Sequence, residues 1–336
     1  MNVGEWVSLS VKHNASDLHL CSGHSPVLRI DGQLRAENSL PRLRAEQLEQ
    51  WCSAWLAPSQ RRQLERAGQL DCALTLADGQ RLRVNLFRQR LGLSAALRII
   101  PSTQPSLSAL FAPPLLSALL DKPDGLILLA GATGSGKSTT LAAMISALNQ
   151  RSRRHVITLE DPIEFIHHSR QCLIQQREIG PDSNSFAAAL RAALREDPDV
   201  ILLGELRDAE TIRLALTAAE TGHLVLSTLH ARGAAQAVER LVDVFPGDEK
   251  AFVRGQLAAC LQAVIAQQLL PMPQGGRVAL FEALTATPAA GNLIREGKNH
   301  QLPGLIQSGG QAGMQTFEQS RQQRCREGLL NLDALP

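Results

Sequence analysis

The nine residues "GATGSGKST", Gly131 to Thr139, decide how the chain must fold. They complete the pattern G-x-x-x-x-G-K-[ST]. An apolar run, "LILLA", precedes them, and a helix-like stretch, "TTLAAMISALNQ", follows. Strand, glycine-rich loop and helix are the setting in which this pattern cradles a nucleotide. Glycines let backbone N–H groups converge on phosphate oxygens, and the helix N-terminus adds its dipole. The cradle is assigned to Gly131, Ala132, Thr133, Gly134, Ser135, Gly136, Lys137, Ser138 and Thr139. Lys137 is expected to reach the β- and γ-phosphates, and Ser138 to hold Mg²⁺. ATP and Mg²⁺ are the expected cofactors. By residue frequencies alone, the pattern arises by chance in roughly one chain in a hundred of this length.

Around it, the apolar runs "GLILLA", "HVITLE", "VILLGE" and "LVLSTL" alternate with helical stretches. That is the pattern of a largely parallel sheet with helices on its faces. In such sheets the ligand crevice opens at the carboxyl ends of the strands. "PDVILLGELRD", Pro198 to Asp208, ends its strand in Glu205, where a P-loop enzyme places a Mg²⁺-associated carboxylate. "TLEDPIEF", Thr158 to Phe165, offers Glu160, Asp161 and Glu164 beyond another strand, with Pro162 stiffening the turn. One of these acids is suited to orient or deprotonate an attacking water. A surface cap and a solvated turn are the bland readings of the two acidic stretches, and the P-loop in the same sheet outweighs them. "TGHLVLSTLH", Thr221 to His230, carries a histidine at each end of a buried run. Satisfied core groups, a metal pair or part of a switch each fit it. No other His or Cys stands nearby at ligand spacing, which weighs against a metal. His230 follows the run, on the phosphate side of the sheet. His223 precedes it, and strand direction does not bring it there.

The 336 residues allow two domains, and the composition (44% hydrophobic, 20% charged) is that of a globular protein. No apolar run approaches the ~20 residues that span a bilayer, so no integral membrane segment is expected. "VRGQLAACLQAVIAQQLLP", Val253 to Pro271, reads as helix, buried in the core or a subunit interface. The N-terminus lacks the pattern of a secretory signal, which points to the cytoplasm. Six scattered cysteines without a C-x-x-C pair give no zinc site. A net charge of +2 and the absence of Tyr give no nucleic-acid footprint. The first hundred residues read as a small α/β domain. "VLRIDGQLR" and "CALTLADGQRLRVNLF" each place Asp-Gly between strand-like runs, a hairpin signal. Between them, "AEQLEQWCSAWLAPSQRRQLERAG" is helical, broken at Pro58. In "RLRVNLF", Arg81, Arg83 and Asn85 share the exposed face of a strand. The Pro- and Ser-rich stretch that follows is the expected linker. The boundaries are 1–100 for the first domain, 101–120 for the linker and 121–336 for the P-loop domain, whose last residues from about Glu318 are polar and helical.

The P-loop, "TLEDPIEF", "GELRD" and the strand with two histidines occur in the order found in the secretion-superfamily ATPases of type IV pili and type II secretion. The chain most resembles their PilT-like branch, the pilus retraction ATPases. The likeness runs nearly end to end, through "ASDLHL", "VLRIDGQLR" and "RLRVNLFRQR" to "NLIREGKNHQL" and "GMQTFEQS". It implies an α/β fold with a small PAS-like N-terminal domain and a RecA-like ATPase domain. It implies a homohexamer that hydrolyses ATP and works on an inner-membrane pilus platform protein, with any membrane association peripheral. By resemblance Glu164 is the catalytic glutamate and Glu205 the acid at the Mg²⁺ end. His223 and His230 match the family's histidine box. Arg83 and Arg98, with Arg81 next, match arginines that the N-terminal domain swings against nucleotide. The tetracysteine zinc element of assembly and secretion relatives is absent. The retraction signature A-I-R-N-L-I-R-E reads "AAGNLIRE" here, Ala289 to Glu296, with glycine expected to weaken its helix by roughly 1 kcal/mol. That departure motivates an alternative, a low-activity nucleotide-binding regulator or scaffold of the pilus or secretion machinery.

Overall fold

Alternation in "RLRVNLF" builds the first sheet: Leu82, Val84 and Leu86 are fully buried. Arg81, Arg83 and Asn85 between them are half-buried, a little deeper than an exposed face would put them. The computed structural model of the chain describes residues 3–30, 32–37, 39–77, 79–100 and 104–331. These form two units, Met1–Thr103 and Gln104–Pro336.

The first unit runs α1 (Val3–Lys12), β1 (Asp17–Cys21), β2 (Val27–Ile30), β3 (Gln33–Ala36), α2 (Ala45–Trp55), α3 (Pro58–Ala67), β4 (Gln69–Thr75), β5 (Arg81–Gln89) and β6 (Gly92–Ile100). Its six strands are ordered β3-β2-β1-β6-β5-β4, every neighbour antiparallel. Ile30 pairs with Gln33, so a two-residue connection joins β2 to β3, with Gly32 at φ +81°. Asp31 and Asp78 of the two Asp-Gly turns lie outside the described residues. Pro58 opens α3, where its missing N–H costs nothing. Trp6, Val7, Leu48 and Leu64 close the helices onto Leu18, Leu20 and Leu97 of the sheet. Cys52, buried here beside Cys72, has its thiol pushed up to about 12 by burial. The six cysteines are free and four of them are buried, as expected of inert thiols.

The second unit runs α4 (Pro114–Leu119), β7 (Gly125–Ala130), α5 (Lys137–Arg151), β8 (His155–Glu160), β9 (Leu173–Glu178), α6 (Phe186–Ala193), β10 (Val200–Leu203), α7 (Ala209–Glu220), β11 (Leu224–Leu229), α8 (Ala234–Asp243), α9 (Lys250–Cys260), β12 (Leu261–Pro271), β13 (Arg277–Thr285), α10 (Pro288–Arg295), α11 (Leu302–Ser308) and α12 (Phe317–Arg326). Its seven strands are ordered β13-β12-β7-β11-β10-β8-β9. All neighbours are parallel except β12 and β13. Strand β7 shows why its run is continuous: Leu126, Leu128 and Ala130 pack with α6 to α11, while Ile127 and Leu129 pack with α4 and α5. A strand buried on both faces reads as unbroken apolar sequence.

Two expectations change here. The stretch 101–120 is not all linker. Residues 101–103 lie outside the described ones, but Leu116 and Leu119 of α4, with Leu120, sit in the core of the second unit. "VRGQLAACLQAVIAQQLLP" is helix only to Cys260; from Leu261 it is β12, wedged between β7 and β13. A short apolar run buried on both faces carries no period that separates strand from helix. "AAGNLIRE" does form a helix, with Thr287 capping it and Ala290 buried. A Cβ at Gly291 would meet only Ala258 O, at an ordinary 3.5 Å, so packing does not demand glycine there. Among the described residues no helix is long and apolar enough to cross a membrane.

Candidate nucleotide site

Register lines up the ends of the parallel strands. Leu203 of β10 pairs with Leu159 of β8 and Ser227 of β11. Leu229 of β11 pairs with Ala130 of β7. The next residues therefore emerge along one edge: Glu160, Gly204 with Glu205, His230, and Gly131 of the P-loop.

Between Ala130 and Lys137 the chain turns from strand to helix in six residues, which demands unusual backbone. Gly136, the residue before α5, has φ +90°. At Gly131 a Cβ would stand 2.3 Å from Ser135 Oγ and 2.7 Å from Gln267 O. Only glycine lets β12 approach that closely. Lys137 is buried, and its Nζ donates to Gly131 O and Ala132 O at 2.9 Å each. Burial lowers its pKa, while the carboxylates of Glu205 and Glu164 oppose that shift. Ala132, Thr133, Gly134 and Ser138 are exposed along the loop, and Thr139 is half-buried. The first N–H groups of α5 have no partner within the helix.

These groups fit a nucleotide phosphate with Mg²⁺. Ser135 Oγ is buried and has no hydrogen-bond partner. The hydroxyl of Ser138 and the carboxylate of Glu205 are oxygen donors, which hard divalent cations prefer.

Glu205 has a side chain only 14% exposed, and it is shared. Arg207 forms an ion pair with its Oε1, and His230 Nε2 stands 3.7 Å from its Oε2. His230 is pushed below its ordinary pKa by burial and then by the charge of Lys137, against the pull of Glu205. Its imidazole is therefore neutral near pH 7.

The acids of "TLEDPIEF" divide by role. Glu160 accepts from Thr158 Oγ1 at 2.6 Å and Gln176 Nε2 at 3.1 Å, and from the backbone N–H of Glu164. Burial raises its pKa despite these donors. Both side-chain donors reach its Oε1 and tie the acid into the loop. Gln176 also donates to Phe165 O, and Glu178 accepts from the N–H of Ile163. The loop is thus fastened on both sides of Glu164, whose charge reaches Lys137. Asp161 is exposed and interacts with Arg207.

His223 does not join the site. It precedes β11, with its N–H and Nδ1 both at Ala218 O, 3.1 Å away. Seven residue steps at about 3.3 Å each put roughly 23 Å between it and His230. Strand direction separates the pair, and a local hydrogen bond accounts for His223. Arg81, Arg83 and Arg98 belong to the first unit. Arg83 and Arg98 are cross-strand partners, and Arg98 Nε bonds Asp17 Oδ1 at 3.0 Å.

Two residues were missed by sequence reading. Arg207 lies inside "GELRD", but the string does not say which carboxylate it meets. Buried Gln267 of β12 accepts from Thr140 Oγ1 at 2.8 Å, across 127 positions. No local signal marks it.

Just beyond Glu164, burial and then the neighbouring His168 push His167 down to about 4, from an ordinary 6.5. Between those values the unfolded chain takes a proton that the folded chain refuses. This contribution to stability is complete above pH 6.5 and is lost as pH falls toward 4, by at most about 3 kcal/mol. His167→Gln is expected to reduce the loss of unfolding free energy between pH 7 and pH 4.5 by about 2 kcal/mol, measured by denaturant titration. An unchanged loss would refute it.

The family model described as "Type II/IV secretion system protein" matches residues 3–274. The YggR protein of Escherichia coli (strain K12) is 61% identical, over 98% of this chain and 100% of that one. The type IV pilus retractation ATPase PilT of Pseudomonas aeruginosa is 47% identical, over 98% and 96%. A crystal structure of the pilus retraction motor PilT with bound ADP superposes with a TM-score of 0.89 at 42% identity, over 99% of this chain and 95% of that one. With a P-loop, two acidic strand ends and a histidine at one edge of the sheet, the chain belongs to the type II/IV secretion system protein family and is a PilT-like ATPase.

Proposed function

We propose that the chain hydrolyses ATP with Mg²⁺ as a cytoplasmic homohexamer, and that this drives retraction of a type IV pilus through an inner-membrane platform protein. The observation that carries the reading is the meeting of Lys137, Glu164, Glu205 and His230 at the carboxyl edge of one parallel sheet. Lys137 and the N–H groups of the P-loop and α5 bind the phosphates. Ser138 and Glu205 would hold Mg²⁺, which supplies positive charge to the phosphate oxygens. Glu164 orients the attacking water and takes its proton. His230, neutral and beside Glu205, hydrogen-bonds in the γ-phosphate region and registers the change from ATP to ADP. Arg81, Arg83 and Arg98 offer guanidinium forks from the first unit, suited to phosphate charge. The near full-length likeness to PilT supports a working ATPase over a scaffold.

Phosphate release from ATP by the purified chain tests the catalytic part, and light scattering with and without nucleotide tests assembly. Release that depends on Mg²⁺ and a mass near six chains are expected. Release no greater than without the protein would overturn the ATPase reading, and a persistent monomer the hexamer.

A further inference from the structure

The acid on the metal side of the site already has a cation. Glu205 is held by its backbone: Leu206, the next residue, is buried, and its N–H bonds Thr228 O at 3.0 Å. The Glu205 side chain is 14% exposed, whereas that of its partner Arg207 is 65% exposed. The acid is fixed and the guanidinium is free to swing. Beside Arg207 a groove of about 310 Å³ is lined by Asp161, Phe186, Asp208 and Thr211, among others. Asp161 already interacts with Arg207 and stands on the loop that carries Glu164. An arginine leaving Glu205 thus has room and a second carboxylate.

We propose that Arg207 is the resident counter-ion of Glu205, competing with the divalent cation for its carboxylate and moving toward Asp161 when metal and nucleotide bind. The inference rests on the reading of Glu205 as the Mg²⁺-side acid. Two cations cannot share one carboxylate at short range without repulsion, so each weakens the other. With Lys137 and His230 close by, the arginine keeps Glu205 paired before loading, since an unpaired carboxylate in a largely buried position is costly. Arg207 therefore sets how much Mg²⁺ the site needs. It is a positioning residue, acting through Glu205.

The test titrates Mg²⁺ from EDTA into the full chain with N-methylanthraniloyl-ADP, reading nucleotide binding by fluorescence. Arg207→Gln is expected to lower the Mg²⁺ midpoint about two- to fivefold, the size of an ion pair with one exposed partner. Arg207→Lys should fall between variant and wild type. Asp161→Asn removes the alternative partner and should raise the midpoint. An unchanged or raised midpoint in Arg207→Gln would overturn the inference. Glu205→Gln separates the two readings. If it alone shifts the midpoint, Glu205 is the metal acid and Arg207 does not compete. If it keeps the wild-type midpoint, the assignment of Glu205 itself fails.

Discussion

Glu164→Gln is expected to cut ATP turnover about 10²- to 10⁴-fold while leaving nucleotide affinity within about threefold. The amide keeps the shape of the side chain and loses the ability to accept a proton from water. The loop should hold its place, because backbone bonds and neighbouring side chains also fasten it. Glu160 takes the N–H of Glu164, Glu178 takes that of Ile163, and Gln176 ties Phe165 O to Glu160. Chemistry and binding should therefore separate in this variant. Single-turnover phosphate release together with binding of a non-hydrolysable ATP analogue measures both. A rate within tenfold of wild type would move the general base elsewhere, and Asp161 would be next to test.

Lys137→Ala is expected to do the opposite, losing binding first. The ammonium is buried and donates two 2.9 Å bonds to loop carbonyls. Hydrogen bonds to a charged group contribute about 1.5–3 kcal/mol each. Losing those to phosphate should weaken ADP and ATP about 10²-fold. Truncation also leaves Glu205 and Glu164 without the nearest opposing charge on the P-loop side. Isothermal titration with ADP and Mg²⁺ reads the change directly, and an affinity within threefold of wild type would contradict the placement of Lys137 at the phosphates.

Much of this site is legible in the string because it is built from short local patterns. The P-loop carries its own strand, turn and helix signals. The acids Glu205 and Glu164 stand just past apolar runs, and a parallel sheet brings the ends of such runs together. His230 follows from the same rule, and so does the exclusion of His223, which begins the strand that His230 ends. Other parts are illegible for equally physical reasons. Ion pairs depend on side-chain direction, so "GELRD" names Arg207 without pairing it to Glu205. Nor does the string show that Thr158 and Gln176 both bond Oε1 of Glu160. The run from Leu261 looks helical because burial on both faces erases periodicity. Gln267 on that run meets the P-loop only once the sheet is assembled.

That last contact bears on where the catalytic machine ends. Strands β7 to β11 and every charged group of the site precede Leu261, which suggests a natural place to cut. Yet the carbonyl of Gln267 is what crowds Gly131, and its amide oxygen holds Thr140 on α5. The antiparallel hairpin is the wall against which the phosphate loop is moulded. A fragment stopping at Cys260 would keep all the chemistry and lose the mould, so the minimal nucleotide-binding module extends at least through β12.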